Sequence, residues 1–246
     1  MKTLVLFVFH EYNARVKHFI ENAIYKGKNV KFMIIWNCNG GIPPDVSIPK
    51  YVEILFRKNT GYDFGGWSHG LFHNNNYKKY DNYLFVNSSV YGPFLKEGEP
   101  IHSWVYKYLN GLNDDVKLYG STINSMGASN LAHVQSYIFC VNRETLWFLI
   151  QHEIFSLKNM AKTFVEAIYN KEVRMSNLII NNGWNIGCTH TLYKGVDFRN
   201  VKPKQKLRFK DDIMYPEYIF KQPQSIFEEL VFVKGNRLGL PLMRSN

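Results

Sequence analysis

Apolar runs alternate with amphipathic segments along the first 90 residues of the chain. Residues 3–9 (TLVLFVF), 30–36 (VKFMIIW), 52–57 (VEILFR) and 80–87 (YDNYLFVN) are apolar and rich in β-branched or aromatic side chains. Such short runs favour buried strands. Between the first two runs, residues 14–26 place apolar side chains at helical spacing before a glycine, which predicts a helix. Strands that alternate with helices are typical of an α/β fold with a mostly parallel sheet.

The second half of the chain is less regular. It predicts strands at 117–122 and 136–142, a helix at 144–155, and a further helix that ends at Gly183. The C-terminal tail holds one clear apolar run, 229–234. Continuous apolar strands indicate a sheet that helices cover on both faces. Because no linker interrupts the pattern, the prediction is one α/β domain with a central, mostly parallel mixed sheet.

The segments that directly follow the predicted strands are the first places to look for chemistry. In open α/β sheets, ligands bind outside the carboxyl ends of the strands. The segments in question are His10–Asn13, which includes Glu11, then Asn37–Gly41, Asn59–Trp67 and Asn87–Phe94.

Asn59–Trp67 is the most distinctive of these segments. It reads NTGYDFGGW, so Gly61, Gly65 and Gly66 surround the single acid Asp63. Glycines let a backbone approach a ligand closely, and a helix predicted to begin near Trp67 would favour an anion at its start. The segment matches neither a dinucleotide-binding fingerprint nor a phosphate-binding P-loop. A tight strand–helix turn explains it equally well.

Asn87–Phe94 offers amide and hydroxyl groups after the fourth predicted strand. Asn87, Ser88 and Ser89 suit hydrogen bonds to a phosphate or a sugar, but the turn has no acids to hold a divalent metal. The alternative is a capped turn made of good turn residues.

Two further side chains carry candidate chemistry. His133 precedes a predicted strand and suits a base, a diphosphate donor or, as residue type alone favours, a structural histidine. Glu172 lies close to Arg174 on the helix before Gly183, where a surface ion pair is the simpler interpretation. No spacing along the chain supports a catalytic triad or a cluster of metal ligands.

Composition narrows the class of partner. The formal net charge is +10, from 30 basic and 20 acidic residues, which favours anionic partners such as a phosphate-bearing molecule, nucleic acid or an acidic membrane surface. No nucleic-acid-binding motif is present. The three cysteines are widely spaced, which predicts free thiols in a reducing compartment. No apolar run is long enough to span a membrane, so we expect an intracellular protein with at most peripheral membrane contact.

Several motifs in fixed order resemble one family. They are F-H-E-Y at 9–12, N-T-G-Y-D-F-G-G-W at 59–67, Y-L-F-V-N-S-S-V-Y-G-P-F at 83–94, L-Y-G-S-T-I-N at 118–124, H-V-Q-S-Y at 133–137, K-E-V-R-M-S with N-N-G-W-N-I at 171–186, and V-F-V-K-G-N-R at 231–237. The pattern is similar to GT-A-type glycosyltransferases of the rhamnan synthesis protein F (RgpF-like) group, including relatives encoded by large algal DNA viruses.

This resemblance implies a single GT-A-like domain over 1–246, with a nucleotide-sugar-binding half (1–95) and an acceptor-binding half (96–246) whose C-terminal segment packs back over the donor site. It implies a hexosyltransferase that moves a sugar, rhamnose at the family level, from a UDP- or dTDP-sugar to a hydroxyl of a glycan acceptor. The expected location is the cytoplasm, or the host cytoplasm for a viral protein.

The resemblance also assigns roles to individual residues. The expected donor-binding residues are His10, Glu11, Asn37, Asn59, Gly61, Asp63, Phe64, Gly65, Asn87, Ser88, Ser89, Lys234 and Arg237. The expected acceptor-binding residues are Trp67, Gln135 and Ser136.

Glu172 is the expected general base of an inverting displacement, and His133 is its rival. Asn87–Ser89 stands where GT-A enzymes carry metal-binding acids, so Mn²⁺ or Mg²⁺ would be held by Asp63, by a downstream residue, or not at all. Lys234 with Arg237 would neutralise the diphosphate. A retaining mechanism, a sugar nucleotidyltransferase, a non-catalytic glycan-binding protein and, from charge alone, a nucleic-acid-binding protein are the alternatives.

Overall fold

The computed structural model describes residues 1–38, 46–125, 131–200 and 212–241. Its strands are β1 (Thr3–Phe9), β2 (Val30–Asn37), β3 (Glu53–Arg57), β4 (Asn82–Asn87), β5 (Val90–Tyr91), β6 (Val116–Gly120), β7 (Ile123–Asn124), β8 (His133–Val134), β9 (Ile138–Asn142), β10 (Asn185–Cys188) and β11 (Val233–Lys234).

The α-helices are α1 (Ala14–Asn22), α2 (Tyr62–Phe72), α3 (Ser103–Leu109), α4 (Arg143–Gln151), α5 (Phe164–Glu166), α6 (Arg174–Asn181), α7 (Pro216–Ile219), α8 (Ile226–Leu230) and α9 (Gly235–Leu238). A π-helical segment, Ala167–Val173, joins α5 to α6. Short 3₁₀ turns occupy His73–Lys78 and Thr191–Tyr193.

Seven strands form the central sheet in the order β10-β6-β9-β4-β1-β2-β3. All neighbours run parallel except β9, which is antiparallel to both β4 and β6. The α/β class with a mostly parallel mixed sheet is therefore confirmed. The chain adds strands on one side of β1 up to β3 and then returns to the other side with β4. That reversal opens a crevice outside the carboxyl ends of β1 and β4, where ligands bind in such sheets.

Both faces of the sheet are covered, as the continuous apolar strands predict. Along β1, Val5, Phe7 and Phe9 pack on one face against α1 and α3, and Leu4, Leu6 and Val8 pack on the other against α2 and α4. Alternate side chains of a strand point to opposite faces, so a strand inside such a sheet has no polar face.

Three helices differ from their predicted bounds. The helix predicted at 144–155 is α4, which ends at Gln151, four residues before the predicted end. The two helices nearest the N-terminus also differ. The first ends at Asn22, four residues before the predicted end. The second begins at Tyr62, five residues before Trp67, because Gly61 adopts a left-handed φ of +74° that lets the chain turn directly into the helix. Gly66 is required inside α2, since a Cβ there would lie 2.5 Å from Cγ2 of Val8. The glycines that suggest a loop are therefore part of a helix in close contact with β1.

The helix predicted to end at Gly183 is confirmed as α5, the π segment and α6, and Gly183 has a left-handed φ of +82°. The apolar run 229–234 is divided between α8 and β11. β11 pairs antiparallel with β5, Val233 opposite Tyr91, so the C-terminal segment does pack back beside the turn after β4. Some predictions made from the sequence concern residues 39–41, 126–130 and 201–211. These lie outside the described residues.

Candidate functional site

A cavity of about 400 Å³ lies at the carboxyl edge of the sheet, next to the end of β4. Residues from six parts of the chain line it: Tyr62, Asp63, Phe64, Asn87, Ser89, Asn124, His133, Gln135, Ser136, Phe164, Ala167, Ile168, Glu172, Lys234, Asn236 and Arg237. Ten of these side chains were predicted as site residues from the sequence, and the fold brings them together from positions up to 174 residues apart, 63 to 237.

One wall of the cavity joins the first turn of α2 to the turn after β4. Asn87 Nδ2 donates a 2.8 Å hydrogen bond to Asp63 Oδ2. The other amide atom, Asn87 Oδ1, accepts from the backbone N–H of Ser89 at 2.9 Å. Asn87 is buried, so it caps its own turn and also holds the acid of the preceding motif. The capped-turn interpretation and the site interpretation of this segment are therefore compatible.

Asp63 is the most perturbed acid in the cavity. Burial and, to a lesser extent, the nearby charge of Glu172 raise the pKa of its carboxyl, which lies at about 6. The hydrogen bond from Asn87 and the charges of His10 and Lys234 act in the opposite direction. The cavity therefore contains two carboxylates close enough to interact, with basic groups near one of them.

Glu172 lies in the π-helical segment and faces the cavity. Its Oε1 accepts a 2.7 Å hydrogen bond from the backbone N–H of Ser136, which lies between β8 and β9. Nearby, the N–H of Val134 in β8 donates to Ser176 Oγ at 3.0 Å, so two hydrogen bonds join residues 134–136 to the helical segment. A π turn inserts one residue into a helix and often occurs at functional sites. The carboxylate is thus placed by two elements and is not simply a member of a surface ion pair.

His133 is buried and lines the same cavity. Its Nδ1 lies 2.8 Å from the carbonyl oxygen of Leu131. A carbonyl only accepts, so this contact places the ring hydrogen on Nδ1 and the lone pair of the neutral ring on Nε2. The geometry fixes the ring, which suits either a structural role or a proton acceptor at Nε2.

A buried network forms the floor behind the C-terminal side of the cavity. Thr122 Oγ1 donates to Gln135 Oε1 at 2.6 Å, and Gln135 Nε2 donates to Asp212 Oδ2 at 2.8 Å. Arg237 pairs with the same carboxylate, which is fully buried, and its guanidinium lies 4.7 Å from the centroid of the Tyr215 ring. Gln135 and Arg237 are therefore already committed to protein partners.

Three predicted donor-binding residues lie beside the cavity rather than in its wall. His10 and Glu11 are exposed at the end of β1, and only the charge of His10 reaches Asp63. Asn37, at the end of β2, is buried, and its Oδ1 accepts from Arg57 Nη1 at 2.7 Å. Its described contact is structural.

The remaining predicted donor residues shape the backbone around the site. Asn59 and Gly61 line a neighbouring groove that also includes Tyr62. Gly65 supports the entry to α2, because a Cβ there would lie 2.2 Å from the carbonyl oxygen of Thr60.

Ser88 forms a hydrogen bond through its backbone: its carbonyl oxygen accepts from Arg15 Nε at 3.2 Å. Ser88 therefore differs from its neighbours Asn87 and Ser89, which line the cavity.

Trp67 requires a correction. Its side chain is completely buried and lies among Phe64, Phe85 and Phe139, and its Nε1 donates to the carbonyl of Val86. A residue in this position packs α2 onto the sheet and does not reach an acceptor. The sequence did not show this because the helix begins earlier than predicted, which turns Trp67 towards the core.

Several lining residues were not singled out from the sequence, notably Tyr62, Asn124, Phe164 and Asn236. Phe164 lies eight residues before Glu172, a helical spacing that could have indicated a shared face. Nothing in the sequence pairs Asp212 with Arg237, because 25 residues separate them and only the fold brings the two side chains together.

In the described part of the chain, no group of three or more His, Cys, Asp or Glu side chains is placed to hold a metal ion. Of the helices that are described, none is long and apolar enough to cross a membrane. None of the three cysteines, all of which are described, forms a disulfide, in agreement with the prediction of thiols. Burial raises the pKa of Cys188 to about 12.

Fold and cavity together define an α/β protein with a polar ligand cavity at the topological switch of a parallel sheet. The chain belongs to the rhamnan synthesis protein F family, a glycosyltransferase-like family whose model matches residues 47–232. The resemblance noted from the motifs is thereby confirmed at the level of the family.

Individual relatives are more distant. The chain is 25% identical over 182 residues to virulence protein VirA of Vibrio anguillarum, a match that covers 72% of this chain and 53% of that protein. The chain therefore spans about half the length of the curated relatives it matches.

Two solved structures are similar at low identity. One is a glycosyltransferase involved in the glycosylation of the major capsid of PBCV-1, with 14% identity, a TM-score of 0.41, and coverage of 76% of this chain and 81% of that one. The other is A197 from STIV, with 13% identity, a TM-score of 0.32, and coverage of 60% and 68%.

Proposed function

We propose that this protein is a glycosyltransferase that moves a sugar from a nucleotide-sugar to a hydroxyl of a glycan acceptor. The observation that carries the proposal is the meeting of Glu172, the Asp63–Asn87 pair and Lys234 in one cavity at the sheet's switch point. Family membership agrees with this class of activity. UDP or dTDP as the nucleotide and rhamnose as the sugar are the finer parts of the proposal.

The donor occupies the side of the cavity formed by β4, α2 and β11. Lys234 supplies positive charge to the leaving diphosphate, since cations stabilise charge that develops on a leaving group. Arg237 contributes less directly, because the Asp212 carboxylate already neutralises it. The first turn of α2 adds the favourable end of a helix dipole near the same anion.

Glu172 acts as the general base of a single in-line displacement. The 2.7 Å hydrogen bond from the Ser136 N–H occupies Oε1, which leaves Oε2 to accept the proton of the acceptor hydroxyl. The oxygen so activated attacks the anomeric carbon, and the bond from that carbon to the diphosphate oxygen breaks, which inverts the configuration. His133 is the second candidate for this proton transfer because it lines the same cavity and its Nδ1 is engaged by the Leu131 carbonyl, which leaves the lone pair on Nε2.

Asp63 is the proposed protein ligand if Mn²⁺ or Mg²⁺ takes part. Magnesium commonly binds one or two carboxylates together with substrate phosphates and keeps several waters, a pattern that one cavity carboxylate beside a diphosphate fits. When bound, the ion would add positive charge at the leaving group. Addition of Mn²⁺ to the binding measurement below tests this part separately.

Nucleoside diphosphates and their sugars, each with and without Mn²⁺, test the donor side by calorimetry and thermal shift. We expect one nucleoside diphosphate to bind selectively. The matching nucleotide-sugar should then release that diphosphate in the presence of acceptor. Pyrophosphate release instead would indicate a nucleotidyltransferase, and sugar binding without turnover would indicate a non-catalytic protein.

Glu172→Gln tests the mechanism, because glutamine keeps the acceptor for the Ser136 N–H but cannot take a proton. We expect kcat to fall by about 10²–10⁴-fold, the usual effect of losing a general base, with donor binding unchanged. His133→Gln is the matched comparison. If Glu172→Gln kept more than about a tenth of the wild-type kcat while the kcat of His133→Gln fell by about 10²–10⁴-fold, the base would be His133.

A further inference from the structure

Two exposed aromatic side chains stand at the mouth of the cavity. Phe164 is 66% exposed and Tyr62 is 39% exposed, and their ring centroids lie 6.2 Å apart at an interplanar angle of 59°. Both line the cavity. The mechanism described above uses neither ring. Two adjacent exposed aromatic rings beside a cavity form an apolar patch, a feature typical of ligand-binding grooves.

Tyr62 is held at the mouth by an unusual backbone conformation. Its φ is +55°, in the left-handed region, directly after Gly61 with φ +74°. Left-handed conformations are unfavourable for a residue with a bulky side chain and tend to occur at functional sites. In this conformation the tyrosine ring projects from the first position of α2 and faces Phe164 across the opening.

The opening continues into a second groove of about 530 Å³, whose wall also includes Tyr62. Lys158 and Lys162 are exposed along this groove, and the exposed polar residues Asn59 and Thr60 lie on its other side. The cavity and the groove therefore share the Tyr62 side chain as part of their walls. The positive charges of the groove, on its two lysines, lie outside the cavity.

We propose that Tyr62 and Phe164 form a stacking platform for an anionic oligosaccharide acceptor, which extends from Glu172 over the two rings towards Lys158 and Lys162. This inference rests on the proposed transfer reaction, and it names the class of acceptor. A sugar ring has an apolar face that suits an aromatic wall and a hydroxyl edge that suits polar side chains. The two lysines match carboxylate or phosphate groups on the more distant units.

Helix geometry fixes which sugar unit meets the platform. Phe164, Ile168 and Glu172 share the face of the helix that lines the cavity. Eight residues of a regular α-helix rise about 12 Å. The π-helical segment shortens this distance, which is still longer than a single sugar ring. A ring stacked on Phe164 is therefore a unit beyond the one whose hydroxyl meets Glu172. The platform thus selects for chain length, and a monosaccharide acceptor cannot use it.

The test uses the full chain with two variants chosen to preserve the fold. Tyr62→Asn removes the ring and suits a positive φ, since asparagine tolerates the left-handed region. Phe164→Ala removes a mostly exposed ring. Phe220→Ala is the matched control, because Phe220 is 57% exposed and lines neither the cavity nor the groove.

The probes are neutral oligorhamnose and uronate-containing oligosaccharides of one to six units, titrated by calorimetry, with phosphatidylserine vesicles as a separate arm. We expect affinity to rise with chain length and to be higher for the anionic series. Each platform variant should weaken binding of the longer chains by about 3- to 10-fold, and Phe220→Ala should not. The double variant Lys158→Ser, Lys162→Ser should weaken binding of the anionic oligosaccharides only. This loss of affinity should be smaller at high salt, because salt screens the charges.

The outcomes separate the platform from the proposed function. Equal affinity for one unit and six units, or no effect of either ring, overturns the platform, and so does ring-dependent binding of vesicles in place of oligosaccharides. Failure of every nucleoside diphosphate to bind wild-type protein overturns the transferase instead. If oligosaccharide binding still depended on the two rings, the platform would be a glycan-binding site in a protein that transfers no sugar.

Discussion

Asp63 illustrates how a single side chain acquires its properties from its surroundings. It lies in the first turn of a helix, accepts a hydrogen bond from Asn87, and is close to a second carboxylate on another element. The hydrogen bond and nearby cations favour the charged form, while burial and Glu172 disfavour it. Burial dominates, so the pKa rises to about 6.

This pKa predicts a pH dependence of stability. A carboxyl whose pKa is raised on folding binds more protons in the native state, so the free energy of unfolding falls as pH rises from about 4 to about 6. The full shift amounts to at most about 3 kcal/mol. Asp63→Asn cannot ionise, so relative to wild type we expect it to gain stability across this range. Urea unfolding of both proteins at pH 4.5 and 7.5, with chelator present, measures the difference.

Asn87→Ala provides the companion measurement, because it removes the hydrogen bond that favours the charged carboxylate. The pKa of Asp63 should therefore rise further in this variant, and its free energy of unfolding should fall more between pH 4.5 and pH 7.5 than that of the wild type. A stability difference between Asp63→Asn and wild type that is the same at both pH values would contradict the raised pKa.

At the scale of secondary structure, α2 is positioned by its glycines. Gly61 lets the chain enter the helix, Gly65 lies against the carbonyl of Thr60, and Gly66 lies against Val8 of β1. These contacts set both the depth of the helix over the sheet and the position of Asp63 in its first turn. The same close packing turns Trp67 into the core.

Gly65→Ala should therefore destabilise the protein, although alanine is intrinsically the better helix former. The new Cβ would lie 2.2 Å from the Thr60 carbonyl oxygen, a backbone atom that can move only with the whole turn. We expect a loss of about 1–3 kcal/mol in the free energy of unfolding, the usual cost of overpacking, measured by urea denaturation.

Gly27→Ala is the control for this prediction, because the atom nearest to its Cβ is in the side chain of Tyr25, at 3.0 Å. It should cost less than about 1 kcal/mol. Equal stabilities of Gly65→Ala and wild type would mean that α2 shifts away from Thr60 without cost.

Over the whole molecule, the C-terminal segment closes the site. β11 pairs with β5 directly after the turn that holds Asn87 and Ser89, and Arg237 reaches the buried Asp212 beside Gln135. The cavity is complete only when residues 62–89 and the C-terminal segment have folded against the same edge of the sheet. Stability and site geometry are therefore coupled through one buried ion pair.

A double-mutant cycle measures that coupling. Arg237→Met leaves a fully buried carboxylate without its charged partner, which should cost about 3–5 kcal/mol. Asp212→Asn together with Arg237→Met should recover part of the loss, since the uncompensated charge is then removed. The free energies of unfolding of the four proteins give the coupling energy.

The exposed pair of Arg143 and Asp81, at 2.9 Å, is the matched control. Both side chains are more than 40% exposed, so water and salt screen their attraction, and the same cycle should give about 1 kcal/mol or less. A coupling at Arg237–Asp212 no larger than this would show that the C-terminal segment does not depend on the buried pair.

The sequence by itself determined the α/β class and the main strands, because a strand that is covered on both faces leaves a continuous apolar run. β1 matches its predicted bounds, and β2 and β3 match to within one residue. Motifs at strand ends, together with the family resemblance, also identified ten of the sixteen cavity residues. The family match over 47–232 agrees with those motifs.

Only the tertiary structure decided which of those residues face the cavity. Periodicity gives the type of an element, but the depth at which α2 packs depends on contacts with β1, and these turn Trp67 inward. The π segment that places Glu172 opposite Ser136, the Asp212–Arg237 pair, and the meeting of Tyr62 with Phe164 all join positions far apart in the chain. Local sequence carries no record of such contacts, because folding makes them by closing long loops around a shared core.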